Sequence, residues 1–170
     1  MERRREQPFF VYYPMALVHD PFVPTPETIG DRDKSKANKE PKDRAEKKAN
    51  FVAMVNYMDR LVGRIIDHVD SLGLSNDTLI MFTADNGTHP KITSNWNGIE
   101  VTGGKGGMTD MGTHVPMVAL WKGNTPEGKE IDDLIDFTDV YPTLAGLASV
   151  EPSPDSRLDG CSFLPQLRGE

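Results

Sequence analysis

The sequence predicts an α/β protein: part of a mixed, mainly parallel sheet flanked by helices. Three observations predict it. Short apolar, β-rich runs recur at 8–13, 78–83 and 115–121, with a shorter one at 134–136. A long amphipathic pattern separates the first two runs, and a second helical pattern follows the last. The resulting order is strand, long helix, strand, loop, strand, strand, helix.

Taken in order, Pro8-Phe-Phe-Val-Tyr-Tyr13 is near-continuously apolar, which suits a strand covered on both faces. The basic residues Arg3 to Arg5 before it imitate a secretory leader, but Tyr12, Tyr13 and Pro14 interrupt the apolar core such a leader requires. Residues 31–48, DRDKSKANKEPKDRAEKK, mix both charge signs with no apolar residue larger than alanine, so they are expected as an exposed charged connection. Phe51, Met54, Val55, Met58, Leu61, Val62, Ile65, Val69 and Leu72 then recur at helical spacing, and Gly73 supplies the stop. Thr78 to Thr83 reads as a strand ending at the turn Ala84-Asp-Asn-Gly87. The glycine-rich stretch 88–112 is expected as a long irregular loop, a kind of segment that is often functional. Val115 to Trp121 is a strand with proline at its start, and Leu134-Ile-Asp136 is expected as a short fourth strand. Thr138 and Asp139 open a helix with Val140, Leu144, Leu147 and Ala148 inward and Pro142 in its first turn. The tail from Glu151 is expected to be irregular.

Composition narrows the function classes. With 19 Lys and Arg against 26 Asp and Glu, the formal charge of −7 argues against a nucleic-acid surface, because phosphate neutralisation needs a basic face. One cysteine, Cys161, can form neither an internal disulfide nor a thiolate metal cage, and it is expected as a small buried hydrophobe. No run of 18 apolar residues exists, so no membrane-spanning helix is expected.

In open α/β sheets, ligands bind beyond the carboxyl ends of strands, and here those positions are polar. His19 and Asp20 follow the first predicted strand, Asp85 and Asn86 the second, and Lys105 lies in the glycine loop Gly103 to Gly107 beyond it. Asp85 and Asn86 offer hard oxygen donors suited to Ca²⁺ or Mg²⁺. Lys105 among glycines suits an oxyanion such as sulfate or phosphate, and His19 suits proton transfer near neutral pH. His89, four residues after Asp85, either supports the site or contacts substrate. Each feature also has a plain reading: Asp-Asn-Gly is a common turn, and glycine-flanked lysines often sit on flexible surface. The glycine loop is not followed by the Lys-Ser/Thr and helix of a nucleotide-binding P-loop.

The segments PFFVYYPMALVHDPFVPTPE (8–27), LIMFTADNGT (79–88), GGKGG (103–107), GTHVPMVALWKG (112–123), DFTDVYPTLAGLASV (136–150) and LDGCSFLPQLRG (158–169), in this order, resemble the sulfatases of the alkaline phosphatase superfamily. The resemblance implies an alkaline phosphatase-like fold and hydrolysis of sulfate esters with Ca²⁺ and a formylglycine nucleophile. It implies Asp85 and Asn86 as metal ligands, and His19 and Lys105 as catalytic residues contacting the sulfate and its leaving oxygen. The formylglycine motif, Cys or Ser-x-Pro-x-Arg, does not occur in these 170 residues, nor does the family's early Asp-Asp pair. The chain is therefore expected to be the C-terminal part of a sulfatase catalytic domain, without its N-terminal part and small C-terminal domain, and inactive alone. The partners implied are a sulfated small molecule or glycan, with Trp96 available to stack on a sugar ring. A periplasmic, secreted or lysosomal location goes with the family. The alternatives are a phosphatase or phosphodiesterase of the same superfamily, or a non-catalytic fragment or binding module.

Overall fold

A computed structural model describes residues 1–4, 6–30 and 38–170. Among the described residues eight regular elements follow one another, besides three single 3₁₀ turns: α1 (Arg44–Ser71), β1 (Ile80–Thr83), β2 (Thr93–Trp96), β3 (Ile99–Thr102), α2 (Asp110–Thr113), β4 (Met117–Leu120), α3 (Val140–Leu147) and α4 (Leu164–Arg168). Strands β1 and β4 form one two-stranded sheet, and β2 and β3 form another.

The long helix forms where the apolar spacing places it, and both its ends are built from the sequence. Asp43 caps the start by accepting the Glu46 N–H at 2.8 Å, satisfying one of the donors a helix leaves open. At the far end Gly73 adopts φ 71°, its N–H donates to Asp70 O, and the Leu74 N–H donates back to Val69 O. That is a Schellman close, in which a left-handed residue suits glycine because no Cβ crowds the turn.

The chain divides into two compact units, Met1–Leu74 with Phe82–Val118, and Ser75–Met81 with Ala119–Glu170. In the first, the core is Phe22, Met54 and Ile92, with Leu17, Val18 and Phe51 packed against it. Phe22 meets Phe51 edge to face at 5.6 Å, and buried Asn50 of α1 donates to Phe22 O at 2.9 Å. The irregular segment 17–25 is thereby fastened to the helix by one ring and one amide. In the second unit, α3 and α4 pack around buried Thr143, Phe163 and Leu167.

Several expectations are corrected. Residues 8–13 form no strand: Phe10, Val11, Tyr12 and Tyr13 stay exposed, because apolar character specifies burial but a strand needs a neighbouring edge to pair with. Residues 134–136 likewise form no strand. The loop 88–112 contains the β2–β3 hairpin, with Asn95 opposite Glu100 and Trp96 opposite Ile99. Its turn is Asn97-Gly98, both at positive φ, the signature of a two-residue type I′ turn. The tail is not wholly irregular, since it carries α4, and Cys161 is exposed. Of the charged connection 31–48, residues 31–37 lie outside the described residues, 44–48 begin α1, and Glu40 is half-buried by partners described below.

Candidate functional site

The site lies within the first unit, where three segments converge just beyond β1. Backbone hydrogen bonds bind the turn after the strand to the glycine loop: Gly87 N–H donates to Gly112 O at 2.9 Å, Lys105 N–H to Thr88 O at 3.0 Å, and Gly104 N–H to Met111 O at 3.1 Å. The approach is close enough to require glycine. A Cβ on Gly103 would stand 2.2 Å from Thr88 O, and one on Gly87 would stand 2.1 Å from Met111 O. Both meet backbone, which cannot swing aside, so the glycines let two strands of main chain touch and hold Lys105 beside the Asp85 to His89 turn.

This weave brings Asp85, Asn86 and Lys105 into one neighbourhood. Asp85 is exposed, and Asn86 and Lys105 are half-buried. Their side chains make no hydrogen bond or ion pair with other described residues. A carboxylate and an amide oxygen suit a hard cation in kind, yet they are two side chains against the six to eight oxygens Ca²⁺ takes. Among the described residues, no group of three or more His, Cys, Asp or Glu is placed to hold a metal ion.

The histidines join through Asp20. His19 Nδ1 lies 2.7 Å from Asp20 O and 3.1 Å from Asp20 Oδ1. His89 Nε2 lies 3.9 Å from Asp20 Oδ2, and Lys91 Nζ lies 3.7 Å from the same oxygen. His89 is further fixed by the Lys91 N–H, which donates to its Nδ1 at 3.0 Å, and by edge-to-face contact with Phe22. Lys91 also donates to both oxygens of Glu40, at 3.2 and 3.3 Å, while Lys47 stands 3.7 Å away and the Phe22 N–H donates at 3.4 Å. Burial opposes ionisation of Glu40. The hydrogen bonds from Lys91 and Phe22 and the charges of Lys47 and Lys91 outweigh it and hold the carboxyl below its usual value.

Lys91 and Glu40 are not singled out by the sequence, and Asp20 is named there only as the neighbour of His19. Asp20 adjoins His19, so an imidazole followed by a carboxylate was a usable signal. Glu40 sits among charges of both signs, and nothing in its local pattern distinguishes it. The two remaining histidines stand apart from the cluster's contacts: His68 pairs with Glu2 at 3.7 Å, and His114 lies at the end of α2.

Comparison with known proteins adds a family. Residues 1–150 match the family model described as Sulfatase. The chain is 31% identical over 176 residues to human "Arylsulfatase H", covering 99% of this chain and 29% of that protein. It is 30% identical over 176 residues to "Steryl-sulfatase" of Rattus norvegicus, covering 99% of this chain and 28% of the relative. Among solved structures, that of Ps i-CgsB in complex with k-i-k-neocarrahexaose superposes with a TM-score of 0.70 at 27% identity, covering 88% of this chain and 31% of the other. The chain thus spans less than a third of the length of these relatives. With an alkaline phosphatase-like fold shared along almost its whole length, the chain belongs to the sulfatase family.

Proposed function

We propose that this chain is the C-terminal part of a catalytic domain that hydrolyses sulfate esters, and that it supplies part of the sulfate and calcium site. The observation that carries the reading is the glycine weave, which holds a lysine whose side chain has no partner among the described residues beside a carboxylate and amide pair at the end of β1. A cationic Nζ among close-packed backbone is suited to a sulfuryl group, whose oxygens gain negative charge as the S–O bond breaks. In this reading Lys105 binds those oxygens, and His19 in its imidazolium form gives its Nε2 proton to the departing ester oxygen, leaving the neutral ring protonated on Nδ1. Asp85 and Asn86 supply two of the ligands to Ca²⁺, which when bound withdraws charge from the same oxygens. The formylglycine nucleophile belongs to a segment other than these 170 residues, so the chain by itself is expected to be inactive.

The substrate class we propose is a sulfated carbohydrate. Trp96 stands at the hairpin end, 71% exposed beside Asn97, and an exposed indole is an apolar platform for a sugar face. A relative of similar fold is known with a hexaose bound, which favours the same class. We further propose a periplasmic, secreted or lysosomal location, on the family resemblance alone. Among the described residues no helix is long and apolar enough to cross a membrane.

The test is turnover of matched aryl sulfate and aryl phosphate esters by the protein in its native length, with and without Lys105→Ala. Sulfate hydrolysis lowered at least about 100-fold by the substitution is the expected result. Unchanged turnover overturns the role of Lys105, and preference for the phosphate ester transfers the protein to phosphoryl chemistry.

A further inference from the structure

The two imidazoles of the site meet the same aspartate in opposite senses. Around His19, both neighbours of Nδ1 are oxygens, the backbone and carboxylate oxygens of Asp20 at 2.7 and 3.1 Å, so Nδ1 carries the proton and Nε2 keeps its lone pair. Around His89 the order reverses. Its Nδ1 accepts the Lys91 N–H at 3.0 Å, so the proton of the neutral ring sits on Nε2, which stands 3.9 Å from the second carboxylate oxygen of Asp20. That distance is a charge contact and not a full hydrogen bond.

We propose that Asp20 is a positioning residue that spans the two imidazoles: one carboxylate oxygen adds to its own backbone oxygen at His19 Nδ1, and the other faces the Nε2–H of His89, whose tautomer the Lys91 N–H sets. His89 then holds Asp20 instead of touching substrate, because one of its nitrogens is occupied by the main chain and the other faces the carboxylate. Phe22 holds the ring edge to face at 5.9 Å. Lys91, 3.7 Å from the same Asp20 oxygen and hydrogen-bonded to Glu40, anchors the carboxylate from the other side. Only His19 is left with a free nitrogen, on a side chain 60% exposed. Orientation of a reactive imidazole by a carboxylate at its other nitrogen is the usual way such a ring is fixed. The catalytic use of that nitrogen rests on the sulfate-ester reading, whereas the tautomers do not.

Nitrogen-detected NMR of the imidazoles, on ¹⁵N-histidine-labelled protein of native length at neutral to mildly alkaline pH, decides it. The expected spectrum has His19 protonated on Nδ1 and His89 on Nε2. In Asp20→Ala, which keeps the backbone oxygen at Nδ1 but loses the carboxylate, the Nε2–H form of His19 gains population and kcat falls about tenfold with KM changed less than about twofold. Asp20→Asn recovers part of both, since its amide oxygen still accepts from Nδ1–H. The proposal is overturned by His19 carrying its proton on Nε2 in the unaltered protein, a measurement that stands even where a variant does not fold. It is equally overturned by a His19 tautomer and kcat that ignore Asp20→Ala. The expected tautomers in a protein without sulfate-ester turnover would uphold the positioning role and remove the functional reading instead.

Discussion

Two regions use their polar side chains differently: the packing of α3 with α4, and the turn beyond β1. In the second unit Asp139 and Thr143 are buried and fully employed. Asp139 accepts the Asp136 N–H on one oxygen and the Cys161 N–H on the other, each at 2.8 Å. Thr143 donates to Asp139 O at 2.7 Å and accepts the Phe163 N–H at 2.9 Å. These two side chains close a turn and tie α3 to the segment before α4, so their chemistry is spent on architecture. In the first unit the architecture beyond β1 is made by backbone and glycine, and the side chains of Asp85, Asn86 and Lys105 have no partner among the described residues. A carboxylate is therefore no sign of function until its partners are counted: buried Asp139 accepts two backbone N–H groups, while exposed Asp85 faces solvent.

The contrast is open to direct attack. The largest expected effect is Gly103→Ala, whose Cβ would meet Thr88 O at 2.2 Å with backbone on both sides. Chemical denaturation should show a loss of about 3 kcal/mol, and sulfate-ester turnover should disappear with the loop geometry. A loss under about 1 kcal/mol would mean that the weave yields easily. Next comes Lys105→Ala, expected to reduce turnover about 100-fold, equivalent to ~2.7 kcal/mol, while the thermal midpoint stays unchanged. A midpoint that falls with it would make Lys105 structural. Asp139→Ala removes a buried carboxylate that accepts two part-buried backbone N–H groups, and about 2 kcal/mol of stability should go while KM for the ester does not move. Smaller again is Ser149→Gly. Ser149 occupies the left-handed position after α3, at φ 53°, that glycine fills after α1, so glycine should stabilise by up to about 1 kcal/mol.

The smallest effect concerns pH. Because Glu40 has a lowered folded-state value, its contribution is complete above the unfolded glutamate range and is lost as pH falls through that lowered value. Acid titration followed by hydrogen exchange at Phe22, whose N–H donates to Glu40, should report loosening there and no change at the Leu74 N–H, which donates to a backbone oxygen, over the same step. Loosening on raising the pH instead would reverse the sign and exclude the Glu40 contacts as its cause.

Local pattern was enough for α1, because its apolar spacing, Asp43 and Gly73 all act within a few residues of one another. It was enough for β1 and β4, where β-rich runs end in turn residues, and it drew attention to the positions after β1 at which Asp85 and Asn86 stand. The β2–β3 hairpin was legible too, in Asn97-Gly98 between Trp96 and Ile99, but the surrounding glycines obscured it. What sequence could not contain was partnership. Whether Pro8 to Tyr13 pairs as a strand, whether Cys161 is covered, and whether Glu40 is solvent-exposed or bound to Lys91 all depend on residues distant along the chain. The amino-acid order by itself determined the elements whose stabilising groups are neighbours in sequence, and the family to which they belong. Only the tertiary structure decided that one carboxylate, Asp20, serves two histidines, because that contact requires residues 20 and 89 to be folded together across a helix, a strand and two turns.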